Sequence, residues 1–224
     1  LENIAPKAEN ISVYFFNYST NSWQTFENTS WNAKFNFTIN IYDKEGDSVE
    51  CILFIKRNST NIWEFVGKDV IKGTAGIPTV GLCSVIFENF SWQDIGYNWF
   101  KWEIRDAEEA NYYNTSEELI ILTKSRAELI LVSGDNIKIN RSDSEIGNVA
   151  LLSLKVFDIY SNSTEDNVTI SFWITYDSQN YVLEASNSSI AGIASLYFNP
   201  SCLYNTGIQY WKAYVNDSKY EITE

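Results

Sequence analysis

GYNWFKWEIRD, Gly96 to Asp106, and GIQYWKAYVND, Gly207 to Asp217, are one strand written twice. At an offset of 111 residues Gly96 meets Gly207, Lys101 meets Lys212 and Asp106 meets Asp217. Phe100 stands opposite Trp211, and Ile104 opposite Val215. Within the first copy Phe100, Trp102 and Ile104 fall on one side, and Trp99, Lys101 and Glu103 on the other. Trp211, Ala213 and Val215 alternate in the same way with Tyr210, Lys212 and Tyr214. A period of two is that of a strand with one face in a core and one in water.

The repetition spreads outward from this motif. Ser84 meets Ser195 and Phe87 meets Phe198 at the same offset. FNFTINIYD (Phe35 to Asp43) parallels ALLSLKVFD (Ala150 to Asp158), and Val49 matches Val168 after a change in loop length. KAENISV (Lys7 to Val13) parallels RAELILV (Arg126 to Val132). The boundary falls near Thr123 to Ser125, which divides the 224 residues into domains 1–123 and 124–224. Phe35, Phe37, Ile39 and Ile41 form a further inward row, as do Val168, Ile170, Phe172 and Ile174. Helix signals are scarce, and the acidic run Asp106 to Ala110 reads as a turn. Each half offers about seven short strands, so the predicted fold is all-β, with two tandem antiparallel immunoglobulin-like β-sandwich domains.

Composition narrows the function. A net charge of −13 disfavours nucleic acid and anionic membrane surfaces as partners. No run of 18 apolar residues is present to span a bilayer. With no Met anywhere, the chain reads as a processed product or an excised piece, any signal or anchor lying outside it. His is absent, which removes Ser-His and Cys-His nucleophile systems and the ordinary zinc site. Paired carboxylates can hydrolyse glycosides, but no two acids are singled out for a common cleft. The expectation is a protein with no catalytic residues and no cofactor other than sugar.

Asparagine carries the strongest signal. Asn-Xaa-Ser/Thr sequons begin at Asn10, Asn17, Asn28, Asn36, Asn58, Asn89, Asn114, Asn140, Asn162, Asn167, Asn187 and Asn216. That is 12 of 24 Asn, where a content of 38 Ser and Thr would place about four by chance. The excess predicts a secreted protein bearing N-linked glycans. Asn36 and Asn167 read as lying within strands, on the outward side.

Of three cysteines, Cys51 takes the inward position of Ile170 and Cys83 that of Ala194, so a cross-core disulfide between them is expected. Closing a loop of about 30 residues stabilises by roughly 3–4 kcal/mol on the chain-entropy model. Cys202 aligns with Ser91 and reads as a surface or loop thiol, a candidate for an intermolecular bridge. In YDKEGDSVE (Tyr42 to Glu50), Asp43, Glu45 and Asp47 alternate around Gly46. Such hard oxygen ligands suit Ca2+, although an acidic hairpin turn needs the same residues. Eight Trp and 14 Tyr allow a sugar-stacking reading as well, with Trp23, Trp31, Trp63, Trp92 and Trp99 unplaced and Trp102 and Trp211 assigned to the core.

The pattern Gly-x-x-aromatic-aromatic-Lys-x-x-aliphatic-x-Asp, with the acidic YDKEGDSV turn, resembles the immunoglobulin-like or fibronectin-III-like tandem repeats of archaeal cell-surface proteins. The resemblance spans nearly the whole chain. It implies a surface-layer protein, adhesin or extracellular filament, N-glycosylated, self-associating and without catalytic residues. An adhesin or carbohydrate-binding module of a larger surface protein is the alternative.

One element is not repeated. YNTSEE (Tyr113 to Glu118) leads into LIIL (Leu119 to Leu122), whereas YEITE (Tyr220 to Glu224), which matches YNTSE, leads into no counterpart. The second sandwich is therefore expected to have an open edge, completed by a continuing array or by donor-strand complementation from another copy. LENIA or NISVYFF at the N-terminus is the expected donor, and head-to-tail donation gives a filament.

Overall fold

In a computed structural model, which describes residues 4–106, 112–141 and 149–223, 58% of the chain is strand and 1% helix. The fold is all-β, as the alternation predicted. The chain separates into two compact units, Leu1–Lys124 and Ser125–Glu224.

Unit 1 carries β1 (Lys7–Asn17), β2 (Ser22–Thr25), β3 (Thr29–Ser30), β4 (Phe35–Asp43), β5 (Val49–Lys56), β6 (Trp63–Ile71), β7 (Thr79–Phe87), β8 (Gly96–Asp106), β9 (Tyr112–Asn114) and β10 (Glu118–Thr123). One sheet runs β2-β1-β4-β7 and the other β3-β10-β8-β5-β6, with β9 beside β8. Pairing is antiparallel except between β3 and β10. Period-two alternation makes each sheet half apolar, so the two apolar faces must meet. Phe35, Phe37, Ile39 and Ile41 come from the first sheet, and Cys51, Leu53, Ile55, Phe100, Trp102 and Ile104 from the second, all buried. Each large side chain so buried contributes about 1.5–3 kcal/mol. Phe37 and Phe100 meet edge to face across the core, 5.0 Å between centroids.

Unit 2 carries β11 (Ala127–Ser133), β12 (Ala150–Asp158), β13 (Ser163–Thr164), β14 (Thr169–Thr175), β15 (Tyr181–Ser188), β16 (Ile193–Phe198) and β17 (Trp211–Val215). β12 pairs with β11, β13 and β16, and the second sheet runs β15-β14-β17. The registers of the units coincide. Ile39 lies opposite Cys83 as Leu154 lies opposite Ala194, and Cys51 opposite Ile104 as Ile170 opposite Val215.

Four sequence expectations need correction. Only Trp211–Val215 of the second motif is strand, whereas all of Gly96–Asp106 is. The difference is pairing: β8 has β10 along Gly96–Phe100, and among the described residues no strand lies along Gly207–Tyr210 on that edge. Asn167 is outside β14, at φ 56° in the turn before it, so only Asn36 is a strand sequon of that pair. YEITE does not take the place of YNTSE. The Val215 N–H donates to Thr223 O at 2.9 Å, whereas Ile104, the counterpart of Val215, pairs with Tyr113. NISVYFF lies inside β1, already paired with β4, and is no free donor. Leu1–Asn3 of LENIA, and Ala107–Ala110 of the acidic run, lie outside the described residues.

Candidate functional surfaces

The twelve sequon asparagines all fall among the described residues, and none is buried. Asn17, Asn36 and Asn187 are half-buried and the other nine exposed. Asn10, Asn162 and Asn167 sit at φ 56°, 55° and 56°, a left-handed conformation that Asn tolerates better than most residues. Several amides bond to the protein surface. Asn58 Nδ2 donates to Ile95 O at 2.8 Å, and Asn187 Nδ2 to Ser195 O at 2.7 Å. Asn36 projects from the middle strand β4, its Oδ1 accepting from Ser84 Oγ at 2.7 Å.

Cys51 on β5 and Cys83 on β7 form a disulfide with Cα atoms 6.3 Å apart, and both residues are fully buried. The bond ties one sheet of unit 1 to the other. Cys202 is exposed and outside this bond, and its carbonyl accepts from Arg141 Nη1 at 3.3 Å.

The acidic loop is built by its own first residue. Asp43 is 1% exposed, and its Oδ1 accepts the N–H groups of Gly46 at 2.8 Å and Asp47 at 3.0 Å. Gly46 has φ +85°, and a Cβ there would come within 2.3 Å of Ile77 O and 2.4 Å of Thr74 O. Asp158, the counterpart of Asp43, does the same: its Oδ1 accepts from the N–H groups of Tyr160 and Ser161, and its Oδ2 from Ser125 Oγ at 2.5 Å. The repeated aspartate is thus a loop-forming residue in both units. Asp43, Glu45 and Asp47 are not gathered into one cluster. Among the described residues no three or more His, Cys, Asp or Glu stand together as a metal site.

One charged group escaped the sequence reading. Glu50 on β5 lies between Lys68 Nζ and Arg105 Nε, 2.5 Å from each through its two carboxylate oxygens. The hydrogen bond from Lys68, reinforced by Arg105, holds its carboxyl below the usual range against the opposing cost of burial. The three residues come together through the β6-β5-β8 register, which pairing had to establish.

The aromatic residues divide. Trp102 is fully buried, as expected, but Trp211 is half-buried and donates from Nε1 to Gly134 O at 2.8 Å. Trp63 and Trp99 are capped by lysines: Lys56 Nζ lies 5.3 and 4.9 Å from their ring centroids, and Lys101 Nζ lies 4.7 Å from Trp63. Ammonium groups over the ring faces occupy the positions where pyranose rings would stack. Trp92 is exposed, and Trp23 and Trp31 are half-buried.

Unit 2 contains a cavity of about 1060 Å3 beside β17, lined by Leu131, Leu152, Leu154, Ile174, Phe198 and Trp211 among others. In unit 1 the corresponding place is filled by β10, whose Ile120 and Leu122 are each 1% exposed.

No family model matches the chain, and no curated protein matches it. Among solved structures it is similar to a tetra-tandem repeat from the extending region of a large adhesion protein, at 14% identity and a TM-score of 0.43, covering 97% of this chain and 47% of that one. It is also similar to red sea bream transglutaminase, at 9% identity and a TM-score of 0.35, covering 95% and 29%. A third similarity is to E. coli alpha-2-macroglobulin, at 9% identity and a TM-score of 0.32, covering 99% and 16%. The chain thus spans less than half the length of each.

Proposed function

We propose that this chain is a segment of an extracellular, N-glycosylated structural protein of the cell surface, in which immunoglobulin-like sandwiches repeat to form part of a surface layer or a head-to-tail filament. The carrying observation is that twelve sequons, three times the number composition would place, all present an asparagine outside the core. They are spread over both units, with seven before residue 124 and five after it. Glycans at this density would keep the sheets hydrated and shield their edges from pairing with other chains. A buried disulfide suits the same oxidising surroundings. The role is mechanical, not catalytic, and self-association between copies or repeats supplies the partner. Among the described residues no helix is long and apolar enough to cross a membrane. The adhesin or carbohydrate-binding alternative is less favoured, because Trp63 and Trp99 each carry a lysine over the ring.

The deciding measurement is the intact mass of natively purified protein, before and after enzymatic removal of N-glycans. The expected result is a mass well above the 25.7 kDa of the polypeptide, with peptide mapping placing sugar on both units. Twelve bare asparagines in native material would refute the reading.

A further inference from the structure

One sheet of unit 1 ends in a strand with an apolar stripe in the open. β7 is the last strand of that sheet among the described residues. Its inward residues Cys83, Val85 and Phe87 are buried, whereas its outward residues Val80, Leu82 and Ile86 are 71%, 54% and 52% exposed. Ser84 is the one polar interruption in that outward row. From Val80 to Ile86 the stripe runs about 20 Å, at roughly 3.4 Å per residue. Apolar side chains in a row on an edge strand promote association between chains.

A sequon stands against this stripe. Asn36 on β4 lies opposite Ile86, and the next pair on the same face is Thr38 opposite Ser84. The Asn36 amide reaches diagonally to that second pair, where its Oδ1 accepts from Ser84 Oγ at 2.7 Å. Ser84 has Leu82 and Ile86 on either side of it along the outward face, so a group attached at Asn36 Nδ2 starts between the two. The backbone of β7 is engaged at the same point, since the Ser84 N–H donates to Asp69 Oδ2 on β6 at 2.9 Å. What stays open there is the outer face with its side chains.

Granted the glycoprotein reading proposed above, we infer that the N-linked glycan of Asn36 covers this stripe, its first sugars lying along β7 with their C–H faces on Leu82 and Ile86. The attachment point fixes the occupant. A second chain could reach the stripe only by displacing a sugar anchored beside it, and the sugar is held there at high local concentration by its own covalent bond. A pyranose ring presents apolar C–H groups on its faces and hydroxyls at its rim, which matches aliphatic side chains flanking a serine hydroxyl. Covering them removes apolar surface from water. Unit 2 reaches the same place by another route. Asn187, which takes the register position of Asp69, donates from Nδ2 to Ser195 O at 2.7 Å, and Ser195 is the counterpart of Ser84. Tyr197, the counterpart of Ile86, is 74% exposed. Each unit thus sets one sequon asparagine against the same serine, with an exposed ring or aliphatic chain two residues on.

The test uses the glycosylated full chain and two ways of removing one sugar. Asn36→Gln removes the attachment atom. Thr38→Val removes the sequon but keeps Asn36 and its bond to Ser84, and it replaces a buried hydroxyl by a methyl of the same size. Both variants should gain fluorescence with an apolar surface dye and form dimers and larger species in sedimentation velocity. Asn114→Gln, which removes an exposed sequon elsewhere, should do neither. Adding Leu82→Thr and Ile86→Thr to either Asn36 or Thr38 variant should abolish both gains. Variants indistinguishable from Asn114→Gln, or gains that survive the two threonine substitutions, would overturn the proposal. Peptide mapping separates the two readings: Asn36 bare while other sites carry sugar refutes this cover alone, and bare asparagines throughout refute the glycoprotein reading on which it rests.

Discussion

Replacing Cys51 by Ile and Cys83 by Ala gives unit 1 the residues that unit 2 uses at the same register, Ile170 and Ala194. The side chains remain apolar and the covalent bond is lost, so the change isolates the cross-link from the packing. The loop it closes spans 32 residues, for which the chain-entropy expression yields about 3.7 kcal/mol. Unfolding entropy of about 2.1 cal/mol/K per residue over a unit of this size converts that to a fall in Tm of roughly 14 °C. Scanning calorimetry of the intact chain supplies its own control, since unit 2 contains no disulfide among its described residues and its transition should stay in place. Reducing the wild-type chain while unfolded should displace the same transition by a similar amount. A shift of unit 1 below about 4 °C, or an equal shift of both units, would refute the argument that the bond stabilises by restricting the unfolded chain of unit 1.

Two other predictions concern unit 1. Because Glu50 titrates lower in the folded state, its contribution is present above its unfolded pKa of about 4.3 and drains away as pH falls through the folded value. Glu50→Gln should therefore flatten the acid limb of the unit 1 melting curve below about pH 5, while an undiminished slope would assign that limb to other carboxylates. Gly46→Ala should cost more than Gly76→Ala. Both sites have positive φ, +85° and +79°, but a Cβ meets two carbonyl oxygens at Gly46 and nothing within 4 Å at Gly76. The backbone penalty alone is about 1–2 kcal/mol, and the Gly46 variant should exceed it in chemical denaturation; equal costs would remove the clash from the account.

Alternation made the sandwich legible. Phe35 to Ile41 and Phe100 to Ile104 could be assigned to a core because every second residue was large and apolar, and the internal repeat doubled that signal. The cysteines were legible for a related reason, since Cys51 and Cys83 interrupt rows whose counterparts are Ile170 and Ala194. What failed were the ends of strands. Gly207 to Tyr210 repeats the glycine, apolar, amide, aromatic order of Gly96 to Trp99, yet strand geometry needs a neighbouring strand, and no local pattern reports that. The valine beside Asn167 belongs to the core row and makes Asn167 look like strand, although backbone at φ 56° ends the row before it. Glu50, Lys68 and Arg105 are far apart in sequence, and only the pairing of three strands brings them together.

A cross-link between sheets also determines how unit 1 answers a pull. Tension applied along the chain cannot straighten the residues between Cys51 and Cys83, which withholds about 110 Å of contour length at roughly 3.4 Å per residue over a separation of 32. Unit 2 has no such stop and can extend fully. In a load-bearing array the paired units would behave as a tether of two grades, one that pays out under force and one that holds.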